Sequence, residues 1–167
     1  MPGIEKLLSS EGLALLQQVE SVAESQSSLK LIDELRKNGH DPELISQVLT
    51  QAKLRNKAKA KFGEFANQLL YTQDGLEQAT RLGVAAHHAG IFRAAGVNSI
   101  TDLGCGIGSD ALAFAAAGFE VTAVERDIET AAIASFNLAV FENAKVLAED
   151  ASQVELTSQA LWFDPAR

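Results

Sequence analysis

Three alternate glycines, Gly104, Gly106 and Gly108, constrain the fold of this chain more than any other feature. They follow a short apolar run, 98–103, and precede an alanine-rich run, 109–117. A loop that meets a ligand with its backbone needs residues that lack a Cβ and tolerate positive φ. The N-terminus of a following helix also presents free N–H groups to whatever binds there. The pattern therefore predicts a strand, a ligand-binding loop and a helix in succession.

Strand-like and helical runs alternate over the second half of the chain. Strands are predicted at 98–103, 120–124, 144–148 and 160–163, and helices at 109–117 and 128–141. This alternation is typical of βαβ units in a parallel sheet. The sequence therefore predicts an α/β fold with two domains. They are an all-helical domain over 1–95 and, over 96–167, the first half (about four parallel strands) of a Rossmann-like sheet.

The residues before the first predicted strand show helical patterns. Asp41, Pro42 and Glu43 form a helix-start signal: a capping acid, a proline in the first turn and a second acid. A longer helix is predicted over 52–71. Its apolar residues fall within an arc of about 80° and are expected to be buried; they are Leu54, Ala58, Phe62, Phe65 and Leu69.

Five cations flank this apolar arc with no acid between them. Lys53, Lys57 and Lys61 lie on one side of it, and Arg55 and Lys59 lie on the other. One interpretation is a core-facing helix whose lysine stems pack beside the buried residues while the charged ends stay in water. The other is a surface that contacts phosphates, in which case RNA would be a partner of the helical region. The sequence leaves both open.

The spacing of the glycines separates this loop from the dinucleotide fingerprint. That fingerprint is G-x-G-x-x-G, whereas here the spacing is G-x-G-x-G and Ser109 occupies the place of the third glycine. Asp102, at the end of the preceding strand, would repel a pyrophosphate. S-adenosylmethionine (SAM) carries an ammonium and a sulfonium and no phosphate, so a carboxylate suits it. The loop therefore indicates a SAM site.

Acids also follow the second and third predicted strands. Glu125 stands at the carboxyl end of the run 120–124, where a carboxylate can accept hydrogen bonds from both hydroxyls of a ribose. Asp150, after Glu149, ends the third strand, where an acid commonly meets the adenine amino group. Because the loop, Glu125 and Asp150 come at successive strand ends, together they indicate a SAM site more strongly than any one of them does.

Composition limits the other classes of function. The single cysteine, Cys105, cannot form an internal disulfide, which fits a reducing cytoplasm. No apolar run of about 18 residues and no secretory signal is present, so no membrane partner is predicted. Residues 91–167 hold 4 Lys or Arg against 11 Asp or Glu and offer no surface for a polyanion. His87 and His88 point about 100° apart on a helix, so no metal site is predicted.

Four segments resemble the motifs of class I SAM-dependent methyltransferases. The stretch 102–108 is similar to motif I, 124–125 to motif II, 149–150 to motif III and 162–167 to motif IV. More narrowly, three stretches resemble bacterial methyltransferases that carry a THUMP-like domain, a group related to trimethylguanosine synthase; the stretches are 62–66, 71–81 and 164–167. The resemblance implies SAM-dependent methyl transfer to an RNA base nitrogen.

The resemblance also implies roles for individual residues. Asp102 and the loop glycines would line the methionine part of SAM, Glu125 the ribose and Asp150 the adenine. Asp164 and Pro165 would border the methyl-transfer site and are the candidate catalytic residues. The segment that contains Thr80 would close over the cofactor. The candidate cofactor-binding residues are therefore Asp102, Gly104, Cys105, Gly106, Gly108, Glu125, Arg126, Asp150 and Thr80.

Class I methyltransferases have a seven-stranded sheet in the order 3-2-1-4-5-7-6, and the predicted strands of this chain reach the fourth. We therefore expect an N-terminal fragment of a longer protein, with little or no methyltransferase activity by itself. The fourth strand would be an open edge, through which two copies of the chain could pair as a homodimer.

Two other functions stay open from the sequence. A non-catalytic SAM-binding or regulatory module would share the glycine loop and use the helical region as a surface for a partner. An NAD-binding oxidoreductase domain would share the strand, loop and helix but not the glycine spacing.

Overall fold

The computed structural model describes residues 4–22 and 28–164. The chain divides into two compact units, an N-terminal unit, Met1–Lys57, and a C-terminal unit, Ala58–Arg167. In the part of the chain that the structure describes, no helix combines the length and the apolar character required to cross a membrane.

The N-terminal unit is helical. It contains α1 (Ile4–Leu8), α2 (Ser10–Val22), α3 (Ser28–Lys37) and the first part of α4 (Pro42–Phe62). Apolar side chains at helical spacing are buried, as Leu15, Leu16 and Val19 of α2 show. The Lys6 ammonium lies 2.9 Å from a carboxylate oxygen of both Asp41 and Glu43, which links α1 to the start of α4. Because these three side chains are exposed, the link contributes little to stability.

Helix α4 starts earlier and ends earlier than the helix predicted over 52–71, so that prediction is wrong in both bounds. Asp41 precedes it, and its Oδ1 accepts hydrogen bonds from the N–H groups of Glu43 and Leu44 at 2.7 and 3.3 Å. The predicted helix-start signal is therefore confirmed. The helix continues to Phe62 without a break.

Gly63 ends α4 and changes which side chains are buried. It adopts φ +57°, and a 3₁₀ helix, Gly63–Gln68, follows it. Because a 3₁₀ helix has fewer residues per turn than an α-helix, Phe65 leaves the apolar stripe and is 58% exposed, contrary to prediction. The other four members of the predicted stripe are buried: Leu54, Ala58, Phe62 and Leu69.

The C-terminal unit carries the sheet. After α5 (Gln73–Gln78) and α6 (Leu82–Ala94), its elements are β1 (Ser99–Leu103), α7 (Ser109–Ala116), β2 (Glu120–Val124), α8 (Ile128–Leu138), β3 (Ala144–Leu147) and β4 (Ala160–Phe163). The four strands are parallel and lie in the order β3-β2-β1-β4. The predicted fold class is therefore confirmed: helices are followed by half of a Rossmann-like sheet.

The core of the C-terminal unit lies between β1 and α7. Ile100 of β1 and Phe114 of α7 are fully buried, and the Phe114 ring packs edge-on against Phe92 and Trp162 with centroids 5.5 and 6.0 Å away. Trp162 of β4 pairs in register with Asp102 of β1. The core thus fixes the carboxyl ends of β1 and β4 side by side.

Candidate functional site

The loop between β1 and α7 has the conformation that its glycines predict. Gly104, Gly106 and Gly108 have φ of +73°, +57° and +87°, a region that residues with a Cβ rarely adopt. The N–H groups of Gly104 and Cys105 both donate to the Val124 carbonyl at 2.9 Å, which joins the loop to the end of β2. In the described part of the chain, no atom other than those of adjacent residues lies within 4 Å of where a Cβ would project from Gly104 or Gly106. A ligand can therefore approach the loop backbone closely.

A cleft of ≈ 420 Å³ lies at the carboxyl ends of β1 and β4. It is lined from three sides: by the stretch 102–110, by Trp162 and Asp164, and by residues of a third stretch, 75–80, here called the 75–80 wall. Its volume lies within the range of about 300–1,000 Å³ typical of small-molecule sites. Among the described residues, three carboxylates and no basic side chain line it. Such a cleft favours a ligand that carries positive charge.

Asp102 is the most unusual group in the cleft. Its side chain is buried, and its Oδ2 has no hydrogen-bond partner among the residues that the structure describes. Desolvation, together with the charge of Asp110, raises the pKa of this carboxyl to about 8, although a hydrogen bond from the Ala111 backbone N–H opposes the shift. Asp102 is therefore poised to change its charge near neutral pH and to accept a hydrogen bond from a ligand.

Asp110, in contrast, has a protein partner at each of its two carboxylate oxygens. Its Oδ2 accepts a hydrogen bond from the Thr80 hydroxyl at 2.7 Å, and its Oδ1 lies 2.8 Å from Nδ1 of His88. The His88 ring lies against Trp162 with centroids 4.4 Å apart. The sequence predicted Thr80 as a cofactor-binding residue but gave no signal for this network, because its members are 22 and 30 residues from Asp110. The network links all three sides of the cleft, through Thr80, Asp110 and Trp162.

Glu125 lies against the glycine loop. Its Oε2 accepts a hydrogen bond from the Gly106 N–H at 3.1 Å, and its Oε1 accepts one from the Asp127 N–H at 2.9 Å. Each carboxylate oxygen can accept a second bond. Glu125 does not itself line the cleft, and its binding of ligand hydroxyl groups stays a prediction.

Arg126 and Asp150 do not line the cleft. Both side chains are exposed. Asp150 accepts hydrogen bonds from the hydroxyl and the N–H of Ser152, which lower the pKa of its carboxyl. Cofactor binding by these two residues stays a prediction.

Cys105 lines the cleft as an unreactive thiol. Desolvation, with the charges of Asp102 and Glu125, raises the pKa of this thiol well above its usual value. The thiol is therefore uncharged at neutral pH and is a poor nucleophile. It fits a small residue within the glycine loop better than a catalytic group.

Asp164, one of the two candidate catalytic residues, lines the cleft beside Trp162. Its side chain is exposed. Pro165, the other candidate, lies outside the described residues. Within the described ranges, no three His, Cys, Asp or Glu side chains are arranged to hold a metal ion.

The 75–80 wall is tied to the end of α4. The Lys61 ammonium donates to three backbone carbonyls, those of Leu76, Glu77 and Ala79, at 2.9, 2.6 and 2.8 Å. At the other end of α5, the Thr72 hydroxyl accepts the N–H of Gly75 at 2.9 Å and caps the helix. The sequence placed Lys61 on a possible phosphate-binding surface and did not indicate this internal role.

Gly75 marks a close approach between the 75–80 wall and the glycine loop. A Cβ at this position would lie 2.5 Å from Cγ2 of Ile107 and 2.5 Å from Oγ1 of Thr72. Gly75→Ala is expected to destabilise the protein by about 1–3 kcal/mol, because a branched side chain and a capping hydroxyl must both move. Urea unfolding measures the change.

Gly83→Ala is the matched control for that substitution. Gly83 lies in α6, and nothing lies within 4 Å of its would-be Cβ. The free energy of unfolding of this variant is expected to rise by up to about 1 kcal/mol, because alanine has a higher helix propensity than glycine. Equal effects at the two glycines would contradict the close approach at Gly75.

Asn137 of α8 links the glycine loop to the segment that follows the 3₁₀ helix. Its Oδ1 accepts the Leu70 N–H at 2.8 Å, and its Nδ2 donates to the carbonyls of Leu70 and Ile107 at 3.0 and 2.9 Å. The side chain is buried. One residue thereby satisfies three buried backbone groups, and one of these belongs to the loop.

The five cations flanking the apolar stripe of α4 have different environments. Arg55 is buried and its guanidinium lies 3.0 Å from Glu20, and Lys61 binds the 75–80 wall. Lys53, Lys57 and Lys59 are exposed. Arg55 and Lys61 therefore already bind partners within the protein, which leaves three exposed lysines of the five cations.

Comparison with known families and structures supports the fold. A family model described as a domain of unknown function, DUF8688, matches residues 2–58. No curated protein sequence gives a significant match. A candidate RNA methyltransferase from Pyrococcus horikoshii is similar in structure, with a TM-score of 0.51 and 23% identity over 68% of this chain. A candidate methyltransferase from Porphyromonas gingivalis W83 gives a TM-score of 0.63 and 20% identity over 84% of this chain.

The chain spans 58% and 35% of the length of those two structures, respectively. At such identities the likeness shows the fold alone, which is that of class I methyltransferases.

Proposed function

We propose that the cleft binds SAM and that the protein is a SAM-dependent methyltransferase. One observation carries the proposal: Asp102 lines the cleft and, within the described ranges, has a buried carboxyl oxygen without a hydrogen-bond partner. A buried acceptor without a hydrogen bond is costly. A cationic ligand that donates hydrogen bonds would satisfy it, and would also offset the charges of Asp110 and Asp164. A ligand rich in phosphate would instead meet the negative charges of Asp110 and Asp164 and no cation among the described lining residues.

The residues around the cleft fit the parts of SAM. Asp102 would hold the ammonium, and the backbone at Gly104 and Gly106 would lie against the methionine part. Glu125 would accept the ribose hydroxyls with the lone pairs that its two backbone bonds leave free. Asp150 would receive the adenine amino group if the ligand extends past the end of β3. Bound SAM supplies an electrophilic methyl group.

The chain's own residues would then position the methyl acceptor. Asp164 can accept a hydrogen bond from an N–H of the acceptor and so direct the nitrogen lone pair toward the methyl group. Trp162 provides a flat apolar wall next to it, held in place by His88 and Phe114. Catalysis of this kind depends mainly on proximity and orientation.

We also propose an RNA base nitrogen as the acceptor and a relationship to the THUMP-like and trimethylguanosine synthase group. The exposed side chains of Lys53, Lys57 and Lys59 support a polyanionic partner, whereas Arg55 and Lys61 contribute less than the sequence predicts. We propose, further, that the 167 residues alone transfer methyl groups slowly or not at all.

Calorimetry with SAM and NAD tests the proposed cofactor. We expect SAM to bind the 167-residue chain with a Kd of about 1–100 µM and NAD to give no measurable heat. Tighter binding of NAD than of SAM would overturn the proposal.

Asp164→Asn separates an enzyme from a non-catalytic SAM-binding module. Because Asp164 is exposed, loss of its charge is expected to raise the Kd for SAM less than about tenfold. In a version of the protein that completes the seven-stranded sheet, its rate of methyl transfer to RNA is expected to fall at least about tenfold. An unchanged rate would contradict the role given to Asp164, and SAM binding without any transfer would favour the module.

A further inference from the structure

The 75–80 wall has little means of holding its own shape. Helix α5, which contributes most of it, has six residues, far fewer than the about 12–15 that an isolated helix needs in water. Its last carbonyls have no partners within the helix. Something outside the helix must therefore hold its C-terminal end.

Lys61 supplies that support. An ammonium has three protons and no acceptor, and here each of the three carbonyls of Leu76, Glu77 and Ala79 lies within hydrogen-bond distance of it. A cation at the negative end of a helix is also favoured by the helix dipole. Lys61 is about half-buried, so its charge is screened less than that of a surface lysine.

A second tie holds the wall from the opposite side. The Thr80 hydroxyl donates to Asp110 at the start of α7. Between the two ties lie Gln78 and Ala79, and both line the cleft. The position of these two residues therefore depends on Lys61 on one side and on Thr80 on the other.

We propose that Lys61 is a positioning residue for the SAM site: its three carbonyl bonds hold the 75–80 wall where it closes the cleft over the ligand. This inference rests on the proposed function for the identity of the ligand. Lys61 itself does not line the cleft, so it acts through the backbone of the wall.

The first test needs no ligand. Amide hydrogen exchange is compared for the wild type, Lys61→Met and Lys145→Met. The control residue, Lys145, is an exposed lysine of β3 outside the cleft. We expect the amides of residues 76–81 to exchange at least about tenfold faster in Lys61→Met, with the strands unaffected and with no change in Lys145→Met. Unchanged exchange in residues 76–81 would overturn the inference.

The second test measures SAM affinity by calorimetry. Lys61→Met is expected to raise the Kd about 10- to 100-fold, and Lys61→Arg to restore part of the affinity, because a planar guanidinium can reach some but not all of three converging carbonyls. Lys145→Met is expected to bind as the wild type does. An unchanged Kd in folded Lys61→Met would contradict the inference.

Thr80→Val provides a variant that keeps Lys61. It is expected to raise the Kd for SAM. In the double variant with Lys61→Met, the fold-increase in Kd is expected to be smaller than the product of the two single fold-increases, because both residues hold the same wall. A fold-increase equal to that product would mean that Lys61 and Thr80 act independently, and would contradict their shared role in holding the wall. If Lys61→Met does not fold, Lys61→Arg and Thr80→Val carry the test. Failure of the wild type to bind SAM would contradict the proposed function, whereas the exchange experiment would still decide the role of Lys61.

Discussion

Replacing Asp102 with asparagine is expected to stabilise the ligand-free protein at pH 8 and to weaken its binding of SAM by about 10- to 100-fold without abolishing it. The native fold raises the pKa of this carboxyl from 3.8 to about 8. Between those values the unfolded chain holds the carboxylate ionised while the folded chain holds it protonated. The folded state then binds more protons, so the free energy of unfolding falls as the pH rises toward about 8. An asparagine side chain cannot ionise, so Asp102→Asn removes that fall.

The size of the effect follows from the shift. One unit of pKa corresponds to about 1.4 kcal/mol. The free energy of unfolding of Asp102→Asn is therefore expected to exceed that of the wild type by on the order of several kcal/mol at pH 8 and by little at pH 4. Urea unfolding at several pH values measures it. Glu120→Gln, at an exposed position of β2, is the control and is expected to show no comparable gain. A wild-type stability that does not fall between about pH 4 and 8 would contradict the environment described for Asp102.

The affinity for SAM is expected to depend on pH through two titrating groups, Asp102 of the protein and the amino group of SAM. Asp102→Asn is expected to remove the contribution of the protein. A cation binds the ionised form of Asp102, so affinity in the wild type is expected to rise with pH up to about 8, and binding near pH 7 is expected to release a proton. The amino group of SAM titrates in the same range, with an ordinary α-amino pKa of about 8. Any dependence left in Asp102→Asn therefore belongs to the ligand. Calorimetry in buffers of different ionisation enthalpy measures the released proton.

Asn137→Leu is expected to destabilise the protein by about 3–5 kcal/mol. Leucine has a similar volume but forms no hydrogen bond, so the N–H and carbonyl of Leu70 and the carbonyl of Ile107 would lose a partner in the buried interior. The loss of SAM affinity should follow, because Ile107 belongs to the glycine loop. Urea unfolding and calorimetry measure the two effects.

The control for that substitution is Asn67→Leu. Asn67 is exposed in the 3₁₀ helix, and its replacement is expected to change stability by less than about 0.5 kcal/mol. If Asn137→Leu lowers the free energy of unfolding no more than Asn67→Leu does, the three buried hydrogen bonds contribute little to stability.

The sequence predicted the sheet and the glycine loop because both leave local patterns. Four apolar runs, each followed within a few residues by a turn or an acid, predict the strands, and the alternate glycines predict the loop. Asp102 could be placed at the cleft, and Glu125 beside the glycine loop, because the carboxyl ends of parallel strands share one edge. These patterns need no knowledge of which distant residues meet.

The remaining parts of the site depend on distant contacts. Asn137 and Leu70 are 67 residues apart, and Lys61 reaches carbonyls 15 to 18 residues away. A backbone carbonyl carries no mark in the sequence, so nothing indicates that a lysine will bind three of them. The exposure of Phe65 escaped prediction for another reason: the helical periodicity was extended through Gly63, where the backbone turns left-handed.

Because Cys105 is the single cysteine of the chain and lines the cleft, the protein carries a natural attachment point for a spectroscopic label at its candidate site. A maleimide fluorophore would mark this position alone, without any engineered residue. The raised pKa of the thiol makes the reaction slow at neutral pH, and its rate is expected to rise as the pH is raised. The rate of that reaction, measured with and without a bound molecule, would report directly whether the cleft is occupied.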